Sequence, residues 1–265
     1  MPLHVIDKVV VEDDGDGDPV VCVHGLGGSA NTWTAVVDAM KGHRVLRVEL
    51  PGSARSLAPS GTLSIEAMAA ALESVCNRLQ IQRAQWVGHS LGTIVCQHVA
   101  ARQPRLVRSM ALFGPLLAPG DPARKAVRAR ADAVEAGGAG AMRDVAQALM
   151  LGATSAHSRE RNPVVAAFVR ESLSRQDPIA YARTCRALAD AQPADLTRVA
   201  APCLLVTGDE DAVAPPQAVR ALADALAQHH ARPQVTVLPR CGHWTPIERP
   251  EDCARELRAW LARLP

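Results

Sequence analysis

Short, unbroken apolar runs alternate with longer stretches of helical periodicity, and this alternation constrains the chain more than any other feature. His4 to Val11, Val20 to Val23, Val45 to Leu50, Gln85 to Val87, Val107 to Phe113, Leu204 to Thr207 and Val235 to Leu238 read as strands. Most of these runs lack a polar face, the pattern of strands buried on both sides of a sheet. Between them, Ser64 to Leu79 carries Ile65, Met68, Ala69, Leu72, Val75, Cys76 and Leu79 at helical spacing, with Ser64 placed to cap the helix start. Leu91 to Ala101, Pro216 to Gln228 and Pro250 to Leu264 read as helices in the same way. Strand and helix in alternation predict an α/β fold with a mainly parallel central sheet flanked by helices.

The alternation stops after Phe113. From about Pro119 to Asp195 the chain turns helical and rich in Ala and Arg, with breaks at Gly137-Gly138-Ala139-Gly140 and Asn162-Pro163, and it resumes at Pro202. The expected division is a core of residues 1–118 and 196–265 with a helical lid, 119–195, inserted between core strands. Such an insertion belongs over the carboxyl edge of the sheet, where open α/β sheets bind ligands.

Composition removes several classes of function. Lys and Arg total 29 against 27 Asp and Glu, with three lysines and no dense basic run, so no nucleic-acid partner is expected. The apolar runs around Leu112 and Leu149 break well short of the roughly 18–20 residues of a membrane helix. Met1 to Lys8 lacks a basic stretch followed by an apolar core, and the seven cysteines at 22, 76, 96, 185, 203, 241 and 253 are scattered without a C-x-x-C pair. Together these point to reduced, buried thiols in a cytoplasmic protein. His229-His230 is the only close pair of candidate metal ligands and would diverge on a helix, so neither a metal nor a cofactor is expected.

The chemistry concentrates after the predicted strand at Gln85 to Val87, where Gly88-His89-Ser90-Leu91-Gly92 leads into an apolar helical run. A G-x-S-x-G in a strand–turn–helix setting holds its serine in a tight, strained turn above a helix N-terminus, and the flanking glycines let strand and helix approach. Ser90 is therefore the candidate nucleophile. A serine hydroxyl needs a base to take its proton and an acid to orient that base. Gly208-Asp209-Glu210-Asp211 follows one late strand and offers Asp211 as the acid, with Asp209 and Glu210 as rivals better suited to solvated turn positions. Cys241-Gly242-His243 follows the last strand and offers His243 as the base. His4, His43, His98, His157, His229 and His230 suit surface or packing roles, and His89 is expected to support the serine turn.

Val23-His24-Gly25-Leu26-Gly27-Gly28 puts a glycine-rich loop after an early strand. Its backbone N–H groups can face the nucleophile, so Leu26, with Leu91 just after the serine, is assigned to an oxyanion hole. His24 is expected to brace this loop. The sequence matches neither G-x-x-x-x-G-K-[ST] nor a dinucleotide fingerprint.

With these motifs in hand, and with Pro51-Gly52-Ser53-Ala54-Arg55-Ser56 beside them, the chain resembles the α/β-hydrolase superfamily over most of its length. Within that superfamily it is similar to the group of 3-oxoadipate enol-lactonases and carboxylesterases with helical lids, although Ala54 replaces a glycine usual there. The resemblance implies a Ser–His–Asp hydrolase. Haloalkane dehalogenases and epoxide hydrolases, with an aspartate nucleophile, are disfavoured by Ser90, and Tyr181 is the only tyrosine for a lid.

The expected activity is hydrolysis of a small to medium carboxylic ester, lactone or thioester through an acyl-enzyme. A carbon–carbon bond hydrolase and a slow or non-catalytic ligand receptor are the alternatives. Arg55 either meets a substrate carboxylate or is a surface arginine. Leu116, Leu117, Met142, Leu149, Met150 and Phe168 either line an apolar pocket or pack helices together.

Overall fold

The computed structural model describes residues 2–229 and 231–263; His230 and Leu264, which figure in the sequence reading, lie outside the described residues. The strands are β1 (Leu3–Ile6), β2 (Val9–Asp14), β3 (Asp18–Val23), β4 (His43–Val48), β5 (Ala84–His89), β6 (Val107–Phe113), β7 (Cys203–Gly208) and β8 (Pro233–Leu238). They form one sheet in the order β1-β2-β4-β3-β5-β6-β7-β8. From β4 to β8 every neighbouring pair is parallel, and only the β1–β2 and β2–β4 pairs are antiparallel.

The single strand expected from His4 to Val11 is instead a hairpin. Ile6 pairs with Val9 across Asp7 and Lys8, which both take positive φ, 48° and 72°. This two-residue turn has the twist that hairpins favour, but it lacks the Asn-Gly or Asp-Gly signature that would announce it.

Successive residues of β3 face opposite sides, which accounts for its unbroken apolar sequence. Val21 and Val23 enter the core shared with α1 (Ile65–Arg78), α2 (Leu91–Arg102) and the helical insertion. Val20 and Cys22 enter a second core beneath the 3-10 segment Ala30–Met40, where Trp33, Met40 and Trp260 are buried. Ser64 caps α1 by accepting the Ala67 N–H at 3.2 Å.

Between β6 and β7 lie α3 (Asp121–Ala153), α4 (Ala156–Arg161), α5 (Pro163–Ser174) and α6 (Pro178–Asp190). Gly138 bends α3 with φ 56° and ψ −140°, and Asn162-Pro163 separates α4 from α5, so both expected breaks interrupt helix. The remaining helices are α7 (Pro216–Ala227), α8 (Thr245–Glu248) and α9 (Pro250–Ala262). All seven cysteines are buried and unpaired, and burial pushes every thiol above its ordinary range. Among the described residues no helix is long and apolar enough to cross a membrane.

Candidate active site

Ser90 stands between β5 and α2 with φ 51° and ψ −119°. A non-glycine residue there carries strain on the order of 1–3 kcal/mol, so its surroundings must impose it. They do: the Ser90 N–H donates to the Phe113 carbonyl at 3.0 Å, while the Ser90 carbonyl accepts from the Thr93 N–H at 2.8 Å and the Thr93 hydroxyl at 2.6 Å. A Cβ on Gly92 would lie 2.3 Å from the Val23 carbonyl oxygen, and one on Gly88 would lie 3.0 Å from both Cys96 Sγ and the Gly92 oxygen. Glycine at position 92 is thus a packing necessity, and at position 88 the space is tight.

The fold carries His243 and Asp211 to this serine from 153 and 121 residues away in sequence. His243 Nε2 lies 2.8 Å from Ser90 Oγ, and its Nδ1 lies 2.9 and 3.1 Å from the two Asp211 oxygens. An ionised carboxylate only accepts, so Nδ1 carries the proton and Nε2 is free to accept from the serine hydroxyl. Asp211 is buried and also receives the N–H groups of Val213 and Ala214, each at 2.8 Å. Burial works against its charge, but the facing His243 and these hydrogen bonds outweigh it and hold the carboxyl below its ordinary range.

The rival carboxylates do other work. Asp209 and Glu210 are exposed, yet Asp209 accepts the Cys241 N–H at 3.1 Å and Glu210 the Ala156 N–H at 2.9 Å. Neither is bonded to His243.

His89 differs from its expected role. Its ring reaches the loop that carries His243, and Nε2 donates to the His243 carbonyl at 2.9 Å. Its ring also lies beside those of His243 and Trp244, at 5.2 and 5.4 Å. Burial, helped by the neighbouring His243, lowers its pKa to about 3, so it stays neutral. His24 braces its loop: Nδ1 donates to the Gly25 carbonyl at 2.7 Å and Nε2 accepts from the Leu50 N–H at 3.0 Å.

Leu26 lies in the tight turn Gly25–Gly28, closed by the Gly28 N–H on the Gly25 carbonyl at 3.0 Å. This turn rests on the nucleophile, since a Cβ on Gly25 would come within 2.8 Å of the Ser90 Cβ. Leu91 opens α2, so its N–H is among those a helix leaves without an internal partner.

Arg55 is already engaged. Its guanidinium bonds Glu49 at 2.8 Å and Glu12 at 2.7 Å, and the bonds to Glu49 above all push its pKa up. Ala54 before it accepts the positive φ, 49°, that a glycine would take without strain. Met142 and Met150 are buried in the core, whereas Phe168 packs edge-on against Trp244 at 6.3 Å. The protein has clefts of about 410 Å³, one polar and lined by residues such as Arg55, Phe168 and Gln176, another apolar and lined by residues such as Leu116, Leu117 and Val213. Neither is lined by Ser90, Asp211 or His243.

Glu248 is a residue that motif reading passes over. Buried five positions beyond His243, it accepts the N–H groups of Gly242 at 3.0 Å, Trp244 at 3.1 Å and Ser155 at 2.8 Å. The first two flank the histidine and the third belongs to the α3–α4 junction. The His243 N–H adds a bond to the Ala153 carbonyl at 2.8 Å. Only an acidic residue near the end of the chain was visible in the sequence, and nothing local marked it.

The family described as alpha/beta hydrolase fold matches residues 18–250, and the chain belongs to it. It is 24% identical over 257 residues to (E)-2-((N-methylformamido)methylene)succinate hydrolase of Acinetobacter baylyi, covering 96% of this chain and 94% of that relative. Among solved structures it is similar to a thermophilic esterase from Thermogutta terrifontis, with TM-score 0.88, 25% identity and coverage of 99% and 98%. An enol-lactonase from Burkholderia xenovorans is similar with TM-score 0.87, 27% identity and coverage of 98% and 100%.

Proposed function

We propose that this hydrolase cleaves a small to medium carboxylic ester, lactone or thioester, with Ser90 as nucleophile, His243 as general base and Asp211 as its orienting acid. The observation that carries this reading is the continuous hydrogen-bonded chain from Ser90 Oγ through the His243 ring to Asp211. His243 Nε2 takes the hydroxyl proton as Ser90 Oγ attacks the substrate carbonyl carbon, and the Leu26 and Leu91 N–H groups receive the negative oxygen. Collapse of the tetrahedral species returns the proton from His243 to the leaving oxygen or sulfur and leaves an acyl-Ser90 ester. Water, deprotonated by His243, then releases the acid and restores the serine. Asp211 holds the proton-bearing Nδ1 throughout, and residues 119–195 act as the lid.

Purified protein mixed with p-nitrophenyl esters of increasing acyl length and a panel of lactones tests the reading. Steady turnover that vanishes in Ser90→Ala supports it, and the chain-length profile sizes the acyl site. Turnover that survives in Ser90→Ala within a few-fold, or no turnover on any of these substrates, overturns it and moves weight to carbon–carbon hydrolysis or ligand reception.

A further inference from the structure

We infer that Gln176, carried by the helical insertion, is a positioning residue that fixes the turn presenting the Leu26 N–H to the reacting carbonyl; the inference rests on the serine-hydrolase reading above. Gln176 follows α5 and is buried, at 6% exposure. Its amide oxygen accepts the Ala54 N–H at 2.9 Å. That contact settles the orientation of the amide, because a flipped side chain would set an NH2 group against an N–H. The amide nitrogen then faces three carbonyls: Ser172 at 2.9 Å, Gly27 at 3.2 Å and Gly28 at 3.3 Å. Ser172 Oγ donates to the same Gly27 carbonyl at 2.7 Å.

Gly27 takes φ 73°, so the Gly25–Gly28 turn has the glycine-dependent form in which the third residue is left-handed. Leu26 occupies its second position. The direction of the Leu26 N–H is therefore set by how this turn is held, and the side chains that bond the two carbonyls leaving the turn, Ser172 and Gln176, both belong to the insertion. Packing adds to it, since a Cβ on Gly27 would lie 2.2 Å from Leu173 Cδ2. One amide thus ties the turn beside Ser90 to the Pro51–Ser56 loop and to the end of α5.

An oxyanion donor acts through its aim at the transition state. Loosening it lowers kcat while leaving ground-state binding nearly untouched. The test compares the whole protein with Gln176→Ala, Gln176→Glu and Ser172→Ala, counting active sites by covalent labelling with a fluorophosphonate and expressing kcat per labelled site. Gln176→Ala is expected to lower kcat roughly 10- to 100-fold with KM within about twofold, a loss of the size that a small misplacement causes. Affinity for a boronic acid that forms a tetrahedral adduct falls by the same factor. Gln176→Glu keeps an acceptor for Ala54 but no donor for Gly27 and Gly28, so it reproduces the loss; Ser172→Ala gives a smaller one of the same kind. Should Gln176→Ala fail to fold, Gln176→Glu and Ser172→Ala carry the test. Normal kcat per labelled site in the folded variants, with only the melting temperature or the labelled fraction reduced, overturns the positioning role and leaves the hydrolase reading standing. If the unmodified protein neither turns over esters nor takes the label, the hydrolase reading itself falls, and this inference with it.

Discussion

The half of the candidate site that stands on the sheet edge and the half braced from the helical insertion are held by different means. Ser90 and Asp211 are fixed largely by backbone of the sheet edge: a strained elbow bonded to Thr93 and to Phe113 at the end of the neighbouring strand, and a carboxylate capped by the N–H groups of Val213 and Ala214. The His243 loop and the Gly25–Gly28 turn are tied to the insertion through side chains, in one case the Glu248 carboxylate, which also holds Ser155, and in the other the Gln176 amide. Glu248 suits its place because three N–H groups converge on it and a carboxylate only accepts; Gln176 suits its own because it meets one N–H and three carbonyls. The sheet half can therefore be altered with a purely chemical effect, whereas altering the braced half disturbs chemistry and stability together.

The largest expected effect tests the first part of that contrast. Ser90→Ala removes the nucleophile and relieves no packing, so ester turnover should fall by roughly four to six powers of ten with the melting temperature unchanged or raised. Asp211→Asn should cost about 10⁴ in kcat, because an amide can present an N–H to Nδ1 and so favour the wrong tautomer. A variant at either position that unfolds the protein would break the contrast. Turnover and thermal melts on the same preparations decide it.

Glu248→Gln probes the other half. One of its oxygens becomes an NH2 group that must face a backbone N–H, and leaving buried donors unmatched costs about 1–3 kcal/mol. Ser155 shares this carboxylate with the two residues flanking His243, so a drop of about tenfold in kcat should accompany the loss of stability, in line with the usual price of sub-ångström misplacement in a reacting group. Full activity in a destabilised variant would show that the brace serves folding alone.

Acidification separates the halves by a third route. Burial holds His89 neutral, with its pKa lowered to about 3, and His24 is shifted in the same direction by burial. An unfolded histidine takes up its proton near pH 6.5, so between that value and about 3 the unfolded chain binds more protons and stability falls as pH falls. The slope is about 1.4 kcal/mol per pH unit for each such group. His89→Gln retains a donor toward the His243 carbonyl and should remove roughly one proton's worth of this slope when unfolding is followed by denaturant between pH 7 and 4.5. Asp211 works in the same sense only at lower pH, since its depressed carboxyl stabilises the fold above the unfolded value near 4 and ceases to do so as pH falls through its own. An unchanged slope in His89→Gln would mean that other groups carry the acid sensitivity.

The difference between the halves also explains which parts were legible in the sequence. Gly88–Gly92 and Gly208–Ala214 are contiguous, and the order of strand, turn and helix around them follows from local periodicity. That Val20 to Val23 is covered on both faces was equally readable, because a doubly covered strand shows a continuous apolar run, although which residue faces which core was not. The Asp7–Lys8 turn was not, since its positive φ values come from pairing of β1 with β2 and not from glycine. Glu248 meets Ser155 across 93 residues and Gln176 meets Gly28 across 148, and pairs at such separations leave no local pattern. His89 was misread for a related reason. Its place beside Ser90 suggested service to the turn, but β5 directs its ring to the loop that carries His243.

Arg55 gives the smallest expected effect and the sharpest limit on the braced half. An arginine in the loop after a core strand invites a role in reading an anionic substrate, and it lines the polar cleft next to Phe168 and Gln176. Its guanidinium is already committed to Glu49 and Glu12, both buried, while Arg47 shares Glu12 at 2.8 Å. Two carboxylates at that distance supply the countercharge that a substrate acid would otherwise provide, so a third anion would have to displace one of them. Arg55→Met should therefore leave the ratio of kcat/KM for an anionic ester to that for its neutral methyl-ester analogue within about twofold of the unmodified protein, a difference well under 1 kcal/mol. Stability should drop by about 1 kcal/mol, discounted because the guanidinium is nearly half exposed. A selective loss of tenfold or more against the anionic ester would reverse the assignment: Arg55 would then exchange partners on binding, and the polar cleft would belong to the substrate path.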